Sequence, residues 1–345
     1  MKIKHVHINA YKVFRDFDID FCHDGNTLNL VVIIGTNGTG KTIILRDIIF
    51  GNNLANIEGY IVVDDNGESK VITFPISPSD EAYREIFSKI IFYNTKDKNT
   101  ISNLQKEIIQ YVDNSVRVQG KTSFEAYLNI QTFIDNIFSD FDIQIRFKGI
   151  NEDKQVIFTN LNNEEFGIEG LSSGEQLVLS KFFPFFINSM TGRVLLIDEP
   201  EESLHPDWQA SYSSVLRRYS QNNNCQFILA THSPQIIFAT YKEEIRSFVR
   251  DEKGYIQVEK CWESPYGWTV GKVLSEIQRV RYQRLPEIES RLAKLRDMVL
   301  QDLEKSDEFK IELAEMEALL GYSDSDLILI RMEAIRRNRI VKKRL

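Results

Sequence analysis

The chain has 345 residues, with 42 basic and 50 acidic side chains, a formal net charge of −8 and 42% hydrophobic residues. That is enough chain for one large α/β domain with an appendage, and its net negative charge argues against broad electrostatic coating of nucleic acid, though a local basic stripe remains open. No apolar run approaches the ~18 residues of a membrane span, the opening MKIKHVHINAYKVF lacks the apolar core of a signal peptide, and Cys22, Cys225 and Cys261 are too scattered for a disulfide framework, so a cytoplasmic protein without a membrane partner is expected.

Residues 1–35 alternate polar and apolar (Ile3, Val6, Ile8; Phe17, Ile19, Phe21), which predicts a short antiparallel sheet leading into a buried strand at Leu28–Ile34. His5 and His7 fall at period two on the first strand, on its surface side. Next come Gly35, Thr36, Asn37, Gly38, Thr39, Gly40, Lys41 and Thr42, a complete phosphate-binding loop, and then an apolar helical run from Ile43 to Phe50. The strand–loop–helix context is what turns the pattern into a site. The glycines let the backbone wrap a triphosphate, and the N–H groups at the helix start point at it. Lys41 would reach the β- and γ-phosphates and the Thr42 hydroxyl would sit on Mg²⁺.

Residues 54–76 read as a hairpin turning at Asp64-Asp65-Asn66-Gly67. Ile90-Ile91-Phe92-Tyr93 reads as a buried strand, residues 100–140 as polar-faced helix, and Phe141–Phe158 as strand-like alternation around Lys148-Gly149. Leu171-Ser172-Ser173-Gly174-Glu175-Gln176 opens a helical run. Alone it is a helix cap; Ser and Gly at a helix start also make an anion site. With one phosphate loop already at 35–42, a second that cannot easily fold back onto it suggests contact with a nucleotide on another subunit.

Val194-Leu195-Leu196-Ile197-Asp198-Glu199-Pro200 is an apolar strand ending in two acids, at the edge where open α/β sheets bind ligands. Asp198 would hold Mg²⁺ through water, and Glu199 would act as general base toward the attacking water. Without the phosphate loop the same pair would be an acidic turn. His232, in Thr231-His232-Ser233 after the strand Phe227–Ala230, suits a neighbouring strand end, where it could contact a γ-phosphate; a structural histidine is the plain alternative. Pro265-Tyr266-Gly267 marks a boundary, giving domains of 1–264 and 265–345. Helical periodicity follows at about 270–304, 307–320 and from 325 onward.

These four motifs, in this order, resemble the ABC-type ATPases of the RecF, SMC and OLD group, over about residues 1–260. Asp198-Glu199-Pro200 followed by Glu202-Ser203-Leu204-His205-Pro206 looks like that group's extended Walker B and D-loop. The resemblance implies an α/β fold: an ABC-type P-loop ATPase head with a mixed sheet, a short helical lid inserted at about 96–140, and a C-terminal α-helical tail. It implies ATP and Mg²⁺ as cofactors, with ATP sandwiched between two protomers. Lys41, Thr42, Asp198, Glu199 and His232 would act from one side, and the signature segment (Ser172, Ser173, Gly174, Glu175) from the other. The group's Q-loop glutamine should follow the strand ending at Tyr93. Asn94-Thr95 stands there, making Asn94 the substitute metal-side residue and putting the coupling of Mg²⁺ to hydrolysis in doubt. Tyr11 and Phe14 are the aromatics available to stack on adenine or to fill the core.

The tail, with Leu285-Pro286-Glu287-Ile288, then Leu319 to Leu327 and basic Arg331 to Arg344, looks like the end of PtuA-like ATPases of antiphage systems such as Septu and certain retrons. That likeness implies homo-oligomers and a separate nuclease, PtuB, of the HNH type. No nuclease is legible in the chain itself. Its five histidines (His5, His7, His23, His205, His232) are scattered, and Asp324-Ser325-Asp326 sits in a turn between helices, where capping is the better reading. The last 15 residues hold seven Lys/Arg and one acid, Glu333. They read as a solvated helix end, as a docking site for an acidic partner, or as a contact for nucleic acid phosphates. The leading functional expectation is an ATPase that switches a defence complex. A RecF-like DNA-repair or DNA-end-sensing ATPase, and a scaffold in which ATP is structural, are the alternatives.

Overall fold

The computed structural model describes residues 1–345 apart from 95–100, 142, 189, 282 and 345; of Asn94, residues 101–102 and 338–344 it describes the backbone alone. In chain order it opens with β1 (Lys2–Tyr11), β2 (Phe14–Asp20), the two-residue strands β3 (Cys22–His23) and β4 (Asn26–Thr27), and β5 (Leu30–Gly35). Helix α1 (Lys41–Ile43) runs on as a π-helical stretch, Ile44–Ile49. The hairpin β6 (Gly59–Asp65) and β7 (Glu68–Phe74) follows, then α2 (Glu81–Phe87) and β8 (Ile90–Asn94). Next are α3 (Ile101–Arg117), α4 (Ser123–Phe138), β9 (Arg146–Ile150), β10 (Val156–Thr159), β11 (Glu165–Gly167) and α5 (Ser173–Ile187). The sequence then alternates β12 (Val194–Asp198), α6 (Pro206–Asn223), β13 (Gln226–Ala230), α7 (Pro234–Phe238), β14 (Ile245–Arg250), β15 (Ile256–Glu259) and the single turn α8 (Val270–Lys272).

Two compact units result, Met1–Val273 and Leu274–Leu345. The sequence boundary at Pro265 precedes that division because residues 265–273 pack on the first unit. The Gly267 N–H donates to the Phe238 carbonyl at 2.9 Å, and Tyr266 stacks on Tyr241. The central sheet of the first unit has the order β15-β14-β5-β13-β12-β8. Its strands from β14 to β8 are parallel and β15 is an antiparallel edge, so the sheet is mixed. Strands β5, β12 and β13 are buried along nearly their whole length, the expected state of parallel strands covered on both faces.

A second sheet, β2-β1-β6-β7, is antiparallel. Its inward residues, Val6, Ile8, Phe17, Ile19, Ile61 and Val63, share one core with Val31 and Ile33 of β5 and with Ile44 and Ile48. The hairpin closes as expected: Asn66 and Gly67 are both left-handed (φ 57° and 90°), the pair of conformations that a tight type I′ turn requires.

The insert between β8 and α5 is larger than the helical lid expected at 96–140, whose first residues, 96–100, lie outside the described part. After α3 and α4 comes a three-stranded sheet, β11-β10-β9. Its turn lies beyond Lys148-Gly149, which sit inside β9. Gly149 lets the backbone approach the Tyr127 ring, where an added Cβ would come within 2.9 Å. α4 starts from a capping box, Thr122 with Glu125.

The second unit is three helices, α9 (Pro286–Leu300), α10 (Asp307–Leu320) and α11 (Ser325–Arg344), around Leu292, Leu295, Met316, Leu327 and Ile330. The expected helical run from 270 therefore breaks before Pro286, which takes the first helical position. No helix among the described residues is long and apolar enough to cross a membrane.

Candidate functional site

The parallel register aligns the strand ends. Asp198 pairs with Ala230, and Ala230 pairs with Ile33, two residues before Gly35. The phosphate loop after β5, the acidic pair after β12 and His232 after β13 therefore converge at one carboxyl edge of the sheet, the ligand edge of open α/β folds.

Within the loop, Lys41 is buried. Its Nζ donates to the Gly35 carbonyl at 2.8 Å and to the Thr36 carbonyl at 3.2 Å. Burial pushes its pKa down to about 8, against the pull of the Asp198, Glu199 and Glu201 carboxylates. Gly40 caps α1 in a left-handed conformation (φ 84°), and an added Cβ would meet the Phe14 ring at 2.7 Å. Arg250 reaches over from β14 and donates to the Gly38 carbonyl at 2.6 Å.

The Thr42 hydroxyl donates to Asp198 Oδ2 at 2.7 Å, joining residues 156 positions apart. That pair of hard oxygen atoms beside a buried lysine fits what Mg²⁺ with a nucleoside triphosphate requires. Glu199 is held in the left-handed region (φ 51°), its N–H donating to the Ala230 carbonyl at 2.8 Å. A non-glycine residue in that region is uncommon, and such residues concentrate at functional sites. The His232 pKa is lowered, first by burial and then by Lys41, so its imidazole shares the electrostatic environment of the loop.

Sequence reasoning did not single out Glu201 or Lys181. Glu201 Oε1 accepts the backbone N–H groups of His232 at 2.7 Å and Ser233 at 3.0 Å. Lys181, on α5, donates to the carbonyls of Pro200 at 2.7 Å and Glu202 at 3.0 Å, and burial pushes its pKa down to about 8. The segment 199–204 is thus clamped to the histidine loop on one side and to α5 on the other. No local signal marks either residue, because each partner lies 19 to 32 positions away.

The signature segment is a capped helix start. Ser172 Oγ accepts the Glu175 N–H at 3.3 Å, while the Glu175 carboxylate accepts the Ser172 N–H at 2.7 Å. Gly174 lies under Trp208, where an added Cβ would come within 2.2 Å of the ring. Asn94 ends β8 directly opposite Asp198, and its side chain lies outside the described part. Phe14 is fully buried against Phe17 and Phe248, so of the two aromatics weighed for adenine it belongs to the core. The Tyr11 hydroxyl donates to Asp47 Oδ2 at 3.1 Å and accepts from Asn53.

Residues 1–77 match the "AAA ATPase domain" family, and residues 90–237 match the family described as "AAA domain, putative AbiEii toxin, Type IV TA system". The Septu protein PtuA of Bacillus thuringiensis is 26% identical over 199 residues, 53% of this chain and 48% of that protein. Over these segments the chain is similar to PtuA-like ATPases. The DNA double-strand break repair Rad50 ATPase of Methanocaldococcus jannaschii is 28% identical over 138 residues, 37% of this chain and 13% of Rad50. The Retron Ec83 probable ATPase of Escherichia coli is 23% identical over 199 residues, 52% of this chain and 34% of that protein. The match therefore spans about half or less of each relative's length. Among solved structures, the SMC head bound to the C-winged-helix domain of ScpA aligns with TM-score 0.53 at 15% identity, over 76% of this chain and 98% of that one. At that identity the likeness bears on fold, and the fold is the ABC-type head with a mixed sheet that the motifs imply.

Proposed function

We propose that the chain is the ATP-hydrolysing switch subunit of an antiphage defence complex. The observation that carries this reading is the Thr42–Asp198 hydrogen bond, at 2.7 Å, closing the phosphate loop onto the acidic pair beside buried Lys41. Lys41 would leave its own loop carbonyls to bind the β- and γ-phosphates, and the loop N–H groups would hold the remaining oxygens. Mg²⁺, when bound, neutralises charge on the phosphate oxygens. Glu199 would take the proton of the attacking water. His232, kept neutral by burial and by Lys41, would accept or donate a hydrogen bond at the γ-phosphate.

The signature residues Ser172, Ser173, Gly174 and Glu175 would complete the site of a second copy, giving ATP-sandwiched dimers or a larger homo-oligomer. Output would pass to a separate effector nuclease, HNH PtuB-like or of another type; the likeness to PtuA and to the retron ATPase supports that role. Mixing inactive Lys41→Ala with inactive Ser172→Arg chains should restore part of the hydrolysis, since one composite site in the mixed dimer is intact. Dead mixtures with verified heterodimers would exclude the sandwich. In the second reading, supported by the Rad50 likeness, the chain acts on DNA directly. Salt-dependent DNA binding by the purified chain alone would favour it.

A further inference from the structure

We propose that the outer face of the N-terminal sheet is a binding site for a divalent transition-metal ion of the zinc type, held by His7, Asp16 and Asp18 with His5 beside them. The β1–β2 register sets His7 opposite Asp18, and period-two alternation puts His5, His7, Asp16 and Asp18 on the face turned away from the core. His5 Nε2 lies 2.8 Å and His7 Nδ1 lies 3.0 Å from one oxygen, Asp18 Oδ1. Ligand atoms of His7, Asp16 and Asp18 all lie within 4.8 Å of one another, the only such His/Cys/Asp/Glu group among the described residues.

The hydrogen bond at the far nitrogen of His7 makes this more than an exposed cluster. His7 Nε2 faces Asn9 Oδ1 at 3.0 Å. The amide orientation is set by Asn9 Nδ2, which donates to Glu58 Oε2 at 3.4 Å. A neutral imidazole has one N–H and one lone pair. If the N–H serves Asn9, the His7 Nδ1 lone pair points at the Asp18 carboxylate, and lone pair against lone pair is repulsive. A metal ion between them removes the conflict. The arrangement is the one metal-bound histidines adopt, with the far nitrogen donating to a fixed acceptor that sets the tautomer and the ring plane.

The donor set narrows the ion. Imidazole nitrogen with carboxylate oxygen suits zinc, copper or nickel; magnesium and calcium prefer oxygen alone. Tetrahedral zinc at about 2.0–2.1 Å from each donor puts donors roughly 3.3 Å apart, so the His7–Asp18 pair at 3.0 Å needs to open only slightly. Both rings are braced, stacking on Tyr60 with centroids 5.8 and 5.2 Å away. The imidazoles are 28% and 18% exposed and Asp18 is 54% exposed. The nitrogen donors are thus held in place while the carboxylate stays open to an ion arriving from solvent.

The test is calorimetric titration of Zn²⁺, with Co²⁺ absorption as the coordination probe, into full-length chain stripped of metal and free of nucleotide. One ion per chain is expected. His7→Ala and Asp18→Asn should abolish binding, and Asn9→Ala should weaken it about 10- to 100-fold. All three variants should keep wild-type ATP affinity, which reports that the fold is intact. No uptake of either metal would overturn the proposal. Uptake that persists equally in His7→Ala and Asp18→Asn would also overturn it.

Discussion

Replacing Glu201 with Gln separates electrostatics from shape at the histidine loop. The amide oxygen can still accept the N–H groups of His232 and Ser233, which lie 2.7 and 3.0 Å from Glu201 Oε1. The change is from a charged acceptor, worth about 1.5–3 kcal/mol per bond, to a neutral one worth about 0.5–1.5. Ser233 N–H has a second acceptor in Thr231 Oγ1 at 2.9 Å, so the loss falls mainly on His232. Against this, the other carboxylate oxygen, Oε2, is buried with no hydrogen-bond partner, and neutralising it removes a desolvation cost of about the same size. Global stability should therefore change by no more than about 1 kcal/mol. Glu201→Ala, which removes the charged acceptor of both N–H groups, should cost about 1.5–3 kcal/mol.

The His232 titration is the sharper readout. Burial and Lys41 lower its pKa, and the Glu201 charge partly restores it. Removing that charge must lower the His232 pKa further in both variants. Histidine titration by NMR, alongside urea denaturation, checks both halves. A His232 pKa that stays put or rises, or a Glu201→Ala variant as stable as wild type, would refute the clamp.

Gly174→Ala should destabilise the first unit by about 1–3 kcal/mol, read by urea denaturation, because the new methyl overlaps Trp208; Gly174→Ala combined with Trp208→Ala should be more stable than Gly174→Ala alone. Burial pushes the Lys41 pKa down to about 8 in the chain without nucleotide, so a neutral fraction is present at about pH 8.5. Triphosphate binding favours its charged form, and calorimetry in buffers of different ionisation enthalpy should then record proton uptake that is absent in Lys41→Met. Removing residues 338–345 should leave ATP affinity within about twofold but weaken effector binding if the basic end docks a partner; unchanged effector binding would leave the solvated helix end. The cut starts there because Arg331 pairs with Glu317 and Arg337 pairs with Glu333 and Asp302, so part of the basic run belongs to the helical unit itself.

The parts of the fold legible in the sequence are those written in contiguous residues. The phosphate loop, the strand ending in Asp198-Glu199, the strand before His232 and the Asn66-Gly67 hairpin each carry their signal within a dozen positions. The β9–β11 sheet was less legible, because its strands are three to five residues long and Gly149 imitates a turn while lying inside one of them. The π-helical continuation of α1 leaves no trace in the apolar spacing. The site residues that escaped notice, Glu201, Lys181 and Trp208, act across long separations, and their types alone read as surface charge and core aromatic. Ser172 and Glu175 carried two readings from the start, and the capping box realises the local one.

The sheet order also fixes when the phosphate loop can take shape during synthesis. Strand β5 is flanked by β13 and β14, both made roughly 200 residues after it. At about 5–20 residues per second, the strand that carries the loop leaves the ribosome some 10–40 s before either neighbour exists. Gln226 adds to the delay: its side chain, fully buried, bonds both the N–H and the carbonyl of Ile3. Strand β1 is thus sewn to a residue made near the end of the domain. The nascent head must carry an unpaired, apolar β5 through most of its own translation.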